Sequence, residues 1–344
     1  MNEPHQLEIT EIDVHDDTIL EQWYDTSSAA LQEGLGDLAT VWTLPELKVS
    51  VREPSRVRQM HLYVGREAGE VVVAGGLALP LQDNLESATV TAEVRPDAWR
   101  RGHGSAMLDF VEAQARQRGR VILDHGIDWP SSFGADGTGW PARDFAVSHG
   151  YRMTLGDVRR ELQVPVADEI LADLAEEAKA SHAGYAVQSW VGAVPDQLAL
   201  GWETLASSLV TEAPTGDREI EPETADVANL RERESVAAKQ GRVRVCTAAL
   251  ADGGEVAAYT DIEVTPHEPG KAYQWGTLVR MSDRGHRLGM AVKVANLRLL
   301  QSLGLGVERV ITWNAEVNSH MIAVNERLGF EPVARAGEFQ KRIS

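Results

Sequence analysis

Apolar and polar positions along this chain change period repeatedly, and the changes lay out two successive runs of strands and helices. Short apolar runs at 60–64 and 71–74 predict two strands, after a mixed helical opening. Pro80, Asp83 and Asn84 mark a turn before an alternating strand over 88–94. The segment after it switches to the helical period, with Met107, Leu108, Val111 and Ala115 on one face and Asp109, Glu112 and Arg116 elsewhere. A strand over 120–124, a Gly- and Ser-rich loop over 131–139, a short helix over 143–149 stopped by Gly150 and a strand over 159–164 complete the first run. Residues 167–180, rich in Ala, Leu and Glu, read as a packed connecting helix.

The second run starts at 185–190 and has strands at 243–249, 256–264 and 272–280. A helix with Met290, Val294 and Leu297 along one side follows, then a strand over 307–313, a helix carrying Met321, Val324 and Leu328 on one face, and a last strand. Ahead of its first strand, the stretch 211–234 holds eight acidic residues against three arginines.

The two runs share one local device. Arg100, Arg101, Gly102, His103, Gly104, Ser105 and Ala106 lie where a strand gives way to an amphipathic helix, and Arg284, Gly285, His286, Arg287, Leu288, Gly289, Met290 and Ala291 do so again. A glycine turn opening a helix presents backbone N–H groups to an anion, and the helix dipole favours negative charge there. Each copy closes downstream on Gly plus an aromatic, Gly150-Tyr151 and Gly329-Phe330. This repeat predicts two domains, 1–165 and 185–344, joined by a helix at 166–184.

A length of 344 residues suits two domains, and 43% hydrophobic with 25% charged residues suits a water-soluble chain. No apolar run reaches membrane-spanning length, and the opening Met1 to His5 lacks the basic start and apolar stretch of a secretory signal. Cytoplasmic location and no membrane partner are therefore expected. A net charge of −19 argues against nucleic acid as a partner and favours cationic small molecules. The one cysteine, Cys246, lies in a strand-like run and reads as a small buried hydrophobe, and no metal is expected without clustered ligands.

The turns resemble the signature of the GCN5-related N-acetyltransferases (GNATs), (Arg/Gln)-x-x-Gly-x-(Gly/Ala), and the tandem layout is similar to that of actinobacterial mycothiol synthases. Trp99 stands where the first copy should have Arg or Gln, and Arg287 replaces the first glycine of the second. The stretch from Asn318 to Phe330 resembles the family's Asn-x-x-Ala-x-x-x-Tyr-x-x-x-Gly-Phe element, with Asn325 in place of the tyrosine general acid and Ala146 at the matching point of the first half. The resemblance implies an α/β (α+β) chain of two tandem GNAT-like domains. Each would be a mixed, mostly antiparallel sheet flanked by helices, with a splayed cleft for acetyl-CoA.

The backbones of residues 101–106 and 287–292 are expected to hold the pyrophosphate of acetyl-CoA, with Arg284 and Arg287 adding charge-assisted bonds and Arg100 standing at the first turn. The resemblance assigns the pantetheine arm to the backbones of Val94 and Val279, and places Asn314 and Asn318 near the cofactor. An alkylammonium acceptor must lose a proton before attack, so a carboxylate base is needed. Asp261 or Glu263 is preferred over Glu93, because the second half keeps the fuller family element. Asn325, a polar residue beside the apolar face of its helix, needs a partner on a strand or a ligand, while Asn318 is either a helix cap or a cofactor contact. Trp129, Trp140, Trp275 and Trp313 either line an acceptor pocket or fill the core.

These readings add up to an acetyl-CoA-dependent N-acetyltransferase acting by direct attack on the primary amine of a small, cationic metabolite or antibiotic. The second domain is expected to be the active one, with 211–234 as its acceptor lid. A noncatalytic acyl-CoA binding or assembly module and a protein N-acetyltransferase are the rivals. A second copy of the chain, forming a homodimer, is the one macromolecular partner admitted.

Overall fold

The computed structural model of the chain describes residues 7–343, so the opening residues read for a secretory signal lie outside the described residues. In chain order the elements are β1 (Glu8–Glu11), α1 (Asp17–Gln32), α2 (Leu44–Arg52), β2 (Arg58–Glu67), β3 (Glu70–Pro80), β4 (Ser87–Val94), α3 (His103–Gln117), β5 (Ile122–Pro130), α4 (Pro141–Ser148) and β6 (Arg152–Gln163). They continue with α5 (Asp168–Lys179), β7 (Ala186–Val191), α6 (Asp196–Glu212), α7 (Val227–Lys239), β8 (Val243–Leu250), β9 (Val256–Val264), β10 (Lys271–Val279), α8 (Leu288–Ser302), β11 (Arg309–Ala315), α9 (Ser319–Leu328) and β12 (Glu331–Arg342).

The chain forms two compact units. The first comprises Met1–Asp157, Gly216–Ile220 and Ala334–Ser344; the second comprises Val158–Thr215 and Glu221–Val333. The division falls inside β6 and β12, not at Pro165, and five residues of the acidic stretch are built into the first unit. Much of the rest of that stretch is helical, belonging to α6 and α7, which the sequence reading left as an acidic run.

In the first unit the strands run in the order β1, β2, β3, β4, β5, β12. Neighbours are antiparallel except β4 and β5, whose parallel pairing covers only Ser87↔Ile122, Ala88↔Leu123 and Thr89↔Asp124 before the strands part. The closing strand comes from the far end of the sequence, with nine residues of β12 from Ala334 to Arg342 in register with β5. On one face α3 packs Met107 and Val111 against Val73, Leu77 and Val90, while on the other α1 packs Leu20 and Trp23 against Leu62, Val64 and Ala74. With helices on both faces, β3 is apolar almost throughout, as a strand covered on both sides must be.

The second unit repeats the plan in the order β6, β11, β10, β9, β8, β7. Its parallel pair, β10 and β11, also parts after three residues, beyond Tyr273↔Ile311. Val245, Ile262 and Val310 meet α5, α8 and α9 on one face, and Cys246, Ala248 and Tyr259 meet α6 and α7 on the other. Cys246 is fully buried and burial pushes its thiol well up, so it is the small hydrophobe its strand context suggested.

Candidate active site

In the first unit β4 ends at Val94, a single 3-10 turn spans Pro96–Ala98, and the indole Nε1 of Trp99 donates to the Val94 carbonyl at 2.7 Å. Trp99, at the place of the expected Arg or Gln, thus ties the turn back to the strand end, and the Val94 carbonyl assigned to the pantetheine arm already has a donor. Arg100 and Gly102 take left-handed conformations, with φ of 63° and 89°, which aims the chain into α3. Gly102 caps α3 without any side-chain acceptor, so the first amides of the helix face outward unpaired by a cap. A Cβ at Gly104 would lie 3.2 Å from Val94 and 3.3 Å from the ring of Phe145 on α4, so only glycine leaves this mouth undistorted. The Arg101 guanidinium donates to Glu67 at 3.1 Å, and the buried His103 ring lies 3.6 Å from the same carboxylate. Ser105, third residue of the helix, has its Oγ 3.0 Å from His149 Nε2.

Strand register places a set of carboxylates on the opposite face of this sheet. Glu93 pairs with Ala74, which packs toward α1 and α2, and Thr89, on Glu93's side of β4, pairs with Asp124. Asp124 in turn pairs with Gln340, and Gly126 with Glu338, so Glu93, Asp124, Asp128 and Glu338 share that face. Burial pushes the Glu93 carboxyl up to about 7, and its Oε2 is enclosed with no hydrogen-bond partner. Burial, reinforced by Glu338, pushes Asp157 up to about 6, and burial also raises Asp124. The cation among them is Arg218, 3.9 Å from both Asp124 and Glu338. It rides on the 216–220 segment, which is pinned by Asp217 N–H to Thr154 O at 2.9 Å and by Glu219 N–H to Gln340 Oε1 at 3.0 Å.

The second unit keeps the backbone plan with different side chains. A 3-10 turn again spans Met281–Asp283, and Arg284 Nε reaches the Val279 carbonyl at 3.4 Å as Trp99 does in the first copy, while its Nη2 donates to Glu212 at 2.8 Å. The helix cap is Arg287, a non-glycine residue at φ 54°, and its guanidinium pairs with Glu177 of α5, which also takes Arg327 of α9. A Cβ at Gly289 would meet only Val279, at 3.7 Å, an ordinary contact. Leu288, Met290 and Ala291 are core residues whose backbones alone bear on the mouth. His286 turns back to the Asp283 carbonyl at 3.1 Å.

Its candidate bases are held as arginine partners. Asp261 lies 3.3 Å from Arg244 and accepts the Gly276 amide at 3.2 Å, while Glu263 accepts from Arg242 at 2.8 Å and from Trp275 Nε1 at 3.2 Å. Gly276 sits in the irregularity between Gln274 and Thr277 that interrupts the β9–β10 register, and Thr260 Oγ1 donates to its carbonyl. Beside these groups is a cavity of about 220 Å³ whose lining includes Trp202, Tyr259, Trp275 and Arg233. Trp275 therefore lines a cavity, whereas Trp129 is core.

Asn325 is fully buried, donates to Asn314 Oδ1 at 2.5 Å and leaves its own Oδ1 without a partner. Asn318 caps α9 by accepting the Met321 amide at 3.2 Å, the structural of its two expected roles. Sequence reading missed Lys293, which is 1% exposed on α8, donates to Gln274 and stands over the Phe330 ring, its ammonium pushed down to about 7 by burial. It also missed the Ser105–His149 pair. A lysine at helical spacing between Met290 and Leu297 was the available sign of the first; nothing local marks the second.

Residues 21–128, inside the first unit, match the family model described as Acetyltransferase (GNAT) family. No curated protein sequence matches the chain. Among solved structures, a tandem GNAT protein from the clavulanic acid biosynthesis pathway, determined without acetyl-CoA, is 29% identical, with 98% of each chain covered and a TM-score of 0.80. A GCN5-related N-acetyltransferase from Sphaerobacter thermophilus is 16% identical at a TM-score of 0.62, covering 98% of this chain and 95% of its own. A structure described as a putative acetyltransferase from Pyrococcus horikoshii is 12% identical at a TM-score of 0.55, covering 98% of this chain and 90% of its own. With two units of one plan, a splayed parallel pair and a glycine-opened helix in the family-matched half, and a whole-chain likeness to a tandem relative, the chain has the fold of a tandem GNAT protein, and its residues 21–128 carry the GNAT acetyltransferase family match.

Proposed function

We propose that the protein is an acetyl-CoA-dependent N-acetyltransferase whose first unit turns over, acting on the primary amine of a small cationic acceptor. Acetyl-CoA supplies the activated acetyl group. The open amides of α3 from His103 to Ser105, with glycine at both 102 and 104, suit its pyrophosphate. Glu93 is the base: it carries no arginine partner among the described residues and titrates near neutrality, so it accepts the proton an alkylammonium must shed before its nitrogen attacks. Asp124, Asp128, Asp157 and Glu338 on the same face favour a cationic acceptor. The observation that carries the reading is the coincidence, in one unit, of an uncapped glycine mouth and a carboxylate whose enclosed Oε2 has no hydrogen-bond partner.

The second unit supports the noncatalytic reading. Asp261 and Glu263 are ion-paired with Arg244 and Arg242, the Gly276 amide is already used, and the helix cap is Arg287 where the first copy has glycine. This moves the expected centre of activity from the second half to the first. Release of free thiol from acetyl-CoA, measured over a panel of mono- and polyamines, tests the proposal. Turnover on cationic amines is expected, and saturable CoA binding with no thiol release on any amine would leave only the binding module.

A further inference from the structure

We propose that His149 sets the direction of the Ser105 hydroxyl at the mouth of α3, and through it the hold of the first cradle on a diphosphate, so that binding tightens when His149 gains a proton. The inference rests on the reading of that mouth as a pyrophosphate site. His149 follows directly on α4, and its Nδ1 lies 2.9 Å from the Phe145 carbonyl and 3.2 Å from Ser148 Oγ, a hydroxyl that itself donates to Phe145 O at 2.7 Å. A carbonyl oxygen only accepts, so in the neutral ring Nδ1 carries the hydrogen and Nε2 keeps a lone pair. Its 3.0 Å contact with Ser105 Oγ is then satisfied one way, with serine donating.

A serine has one hydrogen to give. While it points at His149, Oγ offers only lone pairs to whatever sits at the helix mouth, and lone pairs repel phosphate oxygens. Protonated His149 donates from Nε2 to Oγ instead, which frees the Ser105 hydrogen for a phosphate oxygen and adds a positive charge beside it. The second unit lacks the device: Met290 is the third residue of α8 and Leu328 precedes Gly329, both buried and apolar. Among the charged groups around the first mouth, Arg101 donates to Glu67, Arg143 pairs with Asp144 on α4 at 3.1 Å, and Lys341 of β12 pairs with Glu112 of α3 at 2.7 Å; the buried His103 Nε2 lies 3.6 Å from Glu67 and makes no hydrogen bond among the described residues. Arg100 is exposed at the turn, and among the described residues none of these forms an ion pair with His149.

The test is calorimetry with dephospho-CoA, whose diphosphate diester keeps its charge across the histidine range, at about pH 8 and about pH 5.5. The wild-type protein is expected to bind about five- to tenfold more tightly at the lower pH. His149→Phe and Ser105→Ala should each bind with no such change; the serine variant keeps both the helix mouth and the imidazole, so it speaks even where the ring replacement disturbs packing. A wild-type affinity that ignores pH, or a slope that survives in either variant, overturns the switch and leaves the pyrophosphate site standing. Absence of binding at both pH values overturns the two together.

Discussion

The mouths of α3 and α8 are two answers built on one backbone. Each follows a strand, a 3-10 turn and a left-handed cap, and each opens a 15-residue helix. At the first, the cap and the second helical residue, Gly102 and Gly104, carry no side chains, and Phe145 and Val94 close in on Gly104. At the second, Arg287 fills the cap, reaches Glu177, and Gly289 has room for a larger residue. The carboxylates divide in the same way: Glu93 stands without an arginine, whereas Asp261 and Glu263 sit within reach of Arg244 and Arg242. The two units thus repeat one backbone plan and differ in the side chains set around it.

The largest effect that would break this contrast is on the bases. Glu93→Gln should lower kcat/KM for a cationic amine by about 10²- to 10⁴-fold, while Asp261→Asn should leave it within about twofold, since that carboxylate already serves Arg244. Because a base works ionised, the wild-type rate should rise with pH through about 7 and the Glu93 variant should lose that limb. Equal losses in the two variants would remove the distinction between the units.

Next come the cradles. Gly104→Glu puts a side chain and a negative charge at a site already tight at 3.2 Å, and should weaken CoA binding about 100-fold. Gly289→Glu should leave calorimetric affinity and stoichiometry of one unchanged. Loss of a binding event in the second variant would show that α8 also holds cofactor.

The smallest effect concerns Lys293, which sharpens the picture of the second unit as a packed interior. Its ammonium is pushed down to about 7 in the folded chain, so above that pH the unfolded chain binds the extra proton. Stability should then rise as pH increases from about 7 toward 10, by at most about 1.4 kcal/mol per unit, and level off below about 7, where both states hold the proton. Lys293→Met should flatten that slope in chemical denaturation. A slope unaltered by the substitution would mean that the lysine finds charge compensation on folding.

Much of the scaffold could be read from local pattern. The alternation over 88–94, the glycine turn and the helical stripe of Met107, Val111 and Ala115 are short-range signals, and each element stands where they put it. The site was less legible. Preferring Asp261 to Glu93 depended on knowing their neighbours, and Arg244 meets Asp261 across paired strands, which only register reveals. Ser105 and His149 are 44 residues apart, and neither position is marked locally.

What the chain's order of residues determined by itself is the repeat: two strand–turn–helix units, a net acidic charge, and a polar Asn325 beside an apolar helix face. Only the tertiary structure decided that β12 closes the first sheet, that 216–220 carries Arg218 to carboxylates from other strands, and that Asp261 and Glu263 meet arginines while Glu93, among the described residues, meets none. The physical reason is range. Turn conformation and amphipathic period are set by neighbours along the chain, whereas burial and ion pairing, which set a carboxylate's proton affinity, belong to neighbours in space.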